Sequence, residues 1–197
     1  MATRKPQKSK ENPKERIVNA ALALTARDGW EALTMEKIAR QAKISLATLR
    51  EFFDDRYDIL ACYARMVDQK VLDAVGETDK DASRRDRLFD ILMERFDILN
   101  ENREALVSVI EDIKCEPHQI VTNLPYLARS MGWMLEAAGI ETAGLRGAAH
   151  IAALSAVYIA TIKTWTNDDS LDLSKTMAAL DRNLGHAEKC AGILGLI

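Results

Sequence analysis

The segment that most restricts how this chain can fold is Thr34 to Phe53, TMEKIARQAKISLATLREFF, in which two helix-start signals stand eleven residues apart. Thr34 and Ser45 carry side-chain oxygens that accept a backbone N–H at the start of a helix. After Thr34, Met35, Ile38, Ala39 and Ala42 recur at helical spacing; after Ser45, a short helix from Leu46 to Phe53 is buried through Leu49, Phe52 and Phe53. Only Lys43 and Ile44 link the two, so the helices turn sharply and form a helix-turn-helix unit. An earlier helix begins at Pro13 behind the cap Asn12, continues through Ile17, Ala20, Ala21 and Leu24, and ends at Asp28-Gly29. Asp54 or Asp55 starts a long fourth helix to about Val75, with Ile59, Leu60, Tyr63, Val67 and Val71 on its apolar side.

The rest of the chain predicts helices throughout. No stretch alternates with the period of a strand, and 9 Gly and 4 Pro in 197 residues leave few breakers. Gly76 to Ser83 is polar and reads as a boundary. Helices are expected at about Arg84 to Asn100, Glu101 to Lys114, His118 to Ala138, Ala143 to Thr166 and Leu171 to Ala191, with Pro125 kinking or dividing the third of these. The expected fold is therefore all-α. It comprises a flexible basic tail (1–12), a three-helix helix-turn-helix module (13–54), a long connecting helix (55–75) and a C-terminal helical domain (76–197).

Charge is unevenly spread. Through Phe53 there are eleven basic residues against six acidic ones, a net +5; the whole chain carries −3, so the remainder carries −8. This pattern fits an N-terminal part that approaches a polyanion and a C-terminal part with another task, although the first residues also fit a solvated basic tail. Cys62, Cys115 and Cys190 contain no CxxC pair and suit a reducing cytoplasm. The basic N-terminus lacks the apolar run of a signal peptide, and Leu145 to Trp165, interrupted by Arg146, His150 and Lys163, reads as a buried helix rather than a membrane span. His118, His150 and His186 lie far apart, and there is no HExxH, nucleophile elbow or phosphate-binding Gly loop. No catalysis, metal or cofactor is expected.

The stretch LTMEKIARQAKISLATLREFFDDRYDIL, Leu33 to Leu60, resembles the helix-turn-helix signature of TetR-family transcriptional regulators. Its matching residues are Thr34, Ile38, Ala39, Ala42, Ser45, Ala47, Thr48, Leu49, Phe53, Asp58 and Leu60. The resemblance implies a homodimer, in that family most often a repressor, that reads a palindromic operator in double-stranded DNA with the second helix of the motif in the major groove. The DNA-contacting set it implies is Thr34, Lys43, Ser45, Leu46, Thr48, Arg50, Glu51 and Arg56. The sequence departs from the family where Lys43 replaces a glycine, Leu46 a polar residue, and Arg50 a tyrosine that grips the backbone. Arg50 and Arg56 are expected to supply phosphate contacts in place of those lost. Asp54 and Asp55 act as caps there but repel phosphate.

In the C-terminal part, Leu173, Met177, Leu180, Leu184, Ala187, Ala191 and Leu194 form a narrow apolar seam. The helix before it carries Gly144, Ala148, Ala152, Ala156 and Ala160 every fourth residue. Either pattern serves an internal core; the TetR resemblance implies a dimer interface through Ala152, Ala156, Leu173, Met177, Leu180 and Leu184. Leu88, Phe89, Leu92, Met93, Phe96, Ile110, Met131, Trp133 and Met134 likewise fit a plain core. The resemblance places an effector pocket there, expected to use Phe89, Met93, Phe96, Ile110, Met131, Trp133 and Met134 for a small apolar effector. A second resemblance covers Arg84 to Leu184. RLFDILMERFDILNENR, SMGWMLEAAGI and TWTNDDSLDLSKTMAALDRNL look like the C-terminal domain of the ubiquinone-biosynthesis accessory family, lipid-binding proteins without enzyme chemistry. It implies a lipid or isoprenoid among the ligands, and an alternative role as a lipid-binding or adaptor protein that reads no operator.

Overall fold

The computed structural model describes residues 12–76, 82–114 and 117–193. The expected basic tail through residue 11, Cys115 and Leu194 lie outside the described residues. Among the described residues there are α-helices and no strands: α1 (Pro13–Asp28), α2 (Met35–Gln41), α3 (Leu46–Phe52), α4 (Arg56–Val75), α5 (Arg84–Asn100), α6 (Arg103–Lys114), α7 (Pro117–Ala137), α8 (Gly144–Trp165) and α9 (Ser174–Ile193).

The starts of the first five helices follow from capping chemistry. Asn12 accepts the Lys14 N–H at 3.1 Å ahead of Pro13, Thr34 accepts that of Lys37 at 3.3 Å, and Ser45 that of Thr48 at 3.0 Å. Asp55, not Asp54, caps α4, its Oδ1 taking the N–H groups of Tyr57 at 2.8 Å and Asp58 at 2.9 Å. Ser83 accepts the Asp86 N–H at 3.1 Å before α5. The link from α2 to α3 is a Schellman turn: the Ile44 N–H bonds the Ala39 carbonyl at 3.0 Å and the Lys43 N–H that of Arg40 at 3.2 Å. Such a turn requires a left-handed residue, and Lys43 supplies it at φ 56°.

Ile17, Val18, Leu24, Ile38, Leu49 and Phe53 form the core shared by α1 to α4. α4 carries Val67 and Val71 onward to pack on α5 and α7. There Ile91, Leu92, Phe96, Met131, Met134, Trp165, Leu173 and Leu180 are fully or almost fully buried. This core also encloses polar groups: Arg95 of α5 is paired with Asp68 of α4, Ser130 of α7 donates to Asp68 at 2.6 Å, and Arg95 Nε donates to the Tyr158 hydroxyl of α8 at 3.3 Å.

Several expectations are corrected. α7 runs through Pro125 as one helix, so that exposed proline does not divide it. α9 starts at Ser174, because the preceding turn is organised by Asp168: its buried carboxylate accepts from the Ser170 N–H and hydroxyl and from the Thr176 N–H at 2.8 Å and hydroxyl at 2.7 Å. Burial pushes this carboxyl up, but those hydrogen bonds outweigh it and hold it down at about 2. Leu173, at φ 52°, lies buried in that turn. α8 is the largest surprise. It is long and apolar enough to cross a bilayer, and it was expected to be buried, yet only 28% of its most apolar window is buried. Leu154, Val157, Tyr158, Thr161 and Trp165 face inward, while Ala148, Ala152, Ala156 and Ala160 face out.

Candidate nucleic-acid interface

The buried side of α3 is Leu49, seated beside Phe53 on α1 and α2; the other side is left open. Leu46, half exposed at 51%, stands there with exposed Arg50 and Glu51 and half-buried Thr48. Lys43 and Ser45 are exposed at the head of the helix, and Thr34 is exposed at the head of α2. Six of the eight expected DNA-contacting residues thus lie on α3 or the turn that leads into it, with Thr34 at the start of α2. Thr34 and Ser45 also act as caps, and the Ser45 and Thr48 hydroxyls lie 2.9 Å apart, so these oxygens serve the fold before any ligand.

Arg56, the eighth, has a different occupation. Its guanidinium turns inward, bonding the Trp30 carbonyl at 2.9 Å and the Glu31 carbonyl at 3.5 Å, and lies over the rings of Trp30 and Tyr57. A guanidinium set over two aromatic rings is well held there, so Arg56 has a structural role in the α1–α2 turn. Arg50 is exposed but paired with Asp54 one turn later. An exposed pair of this kind contributes about 0 to 1 kcal/mol, so a phosphate can displace Asp54 at small cost. Lys43 makes no ion pair among the described residues, which leaves its ammonium available.

Sequence reasoning missed the clamp behind this surface. The Trp30 N–H bonds Ser108 Oγ at 3.0 Å and the Glu31 N–H bonds Asp112 Oδ2 at 3.0 Å, both from α6. Arg56 holds the carbonyls of the same two residues. The α1–α2 turn is therefore gripped from α6 on one side and from the first residue of α4 on the other. These partners lie 78 and 81 positions apart in sequence, and nothing local announces them.

Among the described residues, most of the expected pocket residues are packed into the core, and Trp133 borders a surface hollow with Gly132 and Ile151. Phe96, Met131 and Met134 are fully buried in packed core, Phe89, Met93 and Ile110 are half-buried against it, and Trp133 is 57% exposed. An apolar hollow with a volume of about 230 Å³ lies between α5, the end of α7, α8 and α9. The expected interface around α9 is also corrected: Leu173, Leu180 and Leu184 point into the core, while Met177 is 43% exposed and half-buried Ala187 lines an outer groove. Exposed Ala152 and Ala156 line the same groove, between α8 and α9, together with His186 and Cys190. The regular four-residue spacing of alanine was the available signal for that groove.

Residues 17–61 match the family model described as "Bacterial regulatory proteins, tetR family", and residues 149–191 match a model named COQ9. No curated protein matches the chain. Among solved structures, a TetR transcriptional regulator from Nitrosomonas europaea has a TM-score of 0.73 at 23% identity over 91% of this chain and 99% of its own. A TetR transcriptional regulator from Rhodococcus sp. RHA1 has a TM-score of 0.62 at 16% identity over 92% of this chain and 97% of its own. FadR of Thermus thermophilus, a TetR-family repressor solved with lauroyl-CoA, has a TM-score of 0.53 at 15% identity over 89% of this chain and 93% of its own. The chain thus carries a TetR-type N-terminal segment on the fold of TetR regulators. The COQ9 match spans most of the α8–α9 hairpin, in which Trp165, Asp168, Thr176 and Leu180 are all buried.

Proposed function

We propose that the protein is a cytoplasmic transcriptional regulator that binds a palindromic operator as a homodimer and acts as a repressor released by a small apolar effector. The observation that carries this reading is the open face of α3: Leu46, Thr48, Arg50 and Glu51 project from a helix anchored by Leu49, and packing does not account for their identity. Direct readout needs such side chains at the N-terminal half of a helix in the major groove, with cations such as Arg50 and Lys43 at its edges for phosphate. Two half-sites are needed for useful affinity, and the exposed alanine face of α8 offers a surface on which a second copy can pack.

The decisive experiment incubates the full-length protein with fragmented genomic DNA and sequences what it retains. Enrichment of fragments sharing an inverted repeat supports the reading. Arg50→Ala should then lower affinity for that repeat by about 1 to 3 kcal/mol with helicity unchanged. Failure to enrich any sequence sinks it. The alternative reading, a lipid-binding or adaptor protein without operator recognition, is favoured by the COQ9 match at 149–191. It predicts retention of lipid with no enriched DNA.

A further inference from the structure

We propose that the crevice between α5, α7, α8 and α9 is a binding site for a medium-chain carboxylic acid, an apolar tail with one anionic head. The site deepens the effector reading above and rests on it for any effect on DNA; binding in the crevice is testable without DNA.

The floor is apolar and comes from four elements: Leu88 of α5, Leu135 of α7, Leu154 and Val157 of α8, and Leu184 of α9. Its volume, about 230 Å³, equals about eight waters' share of liquid. That suits a chain of several methylenes. The mouth is polar and biased toward cations, with Arg84, Arg85 and His150 against Glu188.

These mouth groups are not equivalent. Arg85 is engaged by Asp181 at 2.5 Å and lies 3.8 Å from Glu188, so its charge is largely answered within the fold. Arg84 is exposed and has no ion pair among the described residues. A guanidinium beside an apolar slot matches a carboxylate in charge and in planar two-oxygen geometry. The His150 Nδ1 lies 3.0 Å from the Glu141 carbonyl, which can only accept, so that nitrogen carries the proton; Nε2 donates to a carboxylate only when the ring carries a second proton, and the ring otherwise serves as a probe beside the mouth. A neutral alcohol would use the floor but offer Arg84 only one uncharged acceptor in place of two charged ones, and a cationic amphiphile would meet Arg84 as a like charge.

Occupancy has a place to act. Ala153, Val157 and Ala187 line both this crevice and the outer α8–α9 groove, so a tail resting on Val157 lies directly behind the proposed dimer face. A ligand that binds one spacing of α8 and α9 better than another shifts dimer affinity by that difference.

The test titrates decanoate into the full-length protein, without DNA, by calorimetry, with the His150 ring followed by NMR. The expected result is one site per chain, a shift of the His150 resonances, at least tenfold weaker binding of decanoate to Arg84→Gln, and at least tenfold weaker binding of decanol to the unaltered protein. Decyltrimethylammonium should not bind. The assignment is overturned by absence of decanoate binding, by equal binding to Arg84→Gln, by equal binding of decanol, by binding of the cation, or by binding that leaves His150 unmoved. Decanoate bound as expected in a protein that retains no DNA would reject the operator reading and leave the crevice standing; an operator bound by a protein indifferent to decanoate would do the reverse.

Discussion

Lys43 carries two conflicting demands. Its backbone must take the left-handed conformation that closes the α2–α3 turn, which costs a non-glycine residue about 1 to 2 kcal/mol, while its ammonium stands at the edge of the proposed DNA surface. Lys43→Gly is expected to raise stability by about 1 kcal/mol, by relieving that conformation, while weakening operator binding and flattening its salt dependence. Denaturant titration and DNA affinity measured at several salt concentrations separate the two effects, and a stability loss would show that the lysine side chain does structural work. Asp168 predicts a pH response. Its carboxyl titrates at about 2 in the folded protein, below its ordinary 3.8, so it stabilises the fold above pH about 4 and that stabilisation is lost as pH falls toward 2. In Asp168→Asn the acid limb of the stability curve should be shallower, and overall stability near neutrality lower; thermal unfolding across pH 2 to 6 measures both. A mutant curve parallel to that of the unaltered protein would remove Asp168 from the acid transition.

At the scale of elements, the buried Asp68–Arg95 pair decides how α4 meets the C-terminal helices. Arg95 is 4% exposed, and with Ser130 and Tyr158 it joins α4, α5, α7 and α8 in one polar cluster. Removing one member leaves a buried charge without its partner, a loss of about 3 to 5 kcal/mol, whereas replacing both by apolar residues of similar size can be close to neutral. Arg95→Ala is therefore expected to destabilise strongly, and the pair Asp68→Leu with Arg95→Met to recover most of that loss in chemical denaturation. Equal destabilisation by both would place the value of the cluster in Ser130 and Tyr158 instead. α4 spans about 30 Å at 1.5 Å per residue and begins with Arg56, which grips the α1–α2 turn from the side opposite Ser108 and Asp112 of α6. α4 and α6 thus both tie the C-terminal helices to the α1–α2 turn.

For the whole molecule, the question is which surface of the α8–α9 pair is inside. Leu180 is fully buried, so Leu180→Asp is expected to unfold the chain, not to separate copies. Ala156 is exposed on the outer face, and Ala156→Asp should leave helicity intact while converting dimers to monomers and abolishing tight operator binding. Sedimentation velocity with circular dichroism distinguishes the two outcomes. A helical, dimeric Ala156→Asp protein would move the subunit contact away from α8.

What the sequence determined by itself is what short-range physics governs. Asn12, Thr34, Ser45 and Asp55 are caps whose hydrogen bonds reach only two or three residues, so the first four helices and the tight α2–α3 link were readable residue by residue. The open face of α3 was readable for a related reason: in so short a helix, burying Leu49 and Phe53 leaves only one direction for Leu46 and Arg50. Tertiary structure alone decided the occupation of Arg56, the packing of Met131 and Met134, and the inward turn of Leu180. An apolar stripe at helical spacing states that a face will be covered, but the covering surface, whether the same chain, another copy or a ligand, depends on helices tens of residues away. For α8, alanine fits either side equally well, and it was the larger Leu154, Val157 and Trp165, finding room against α5, α7 and α9, that turned the small residues outward.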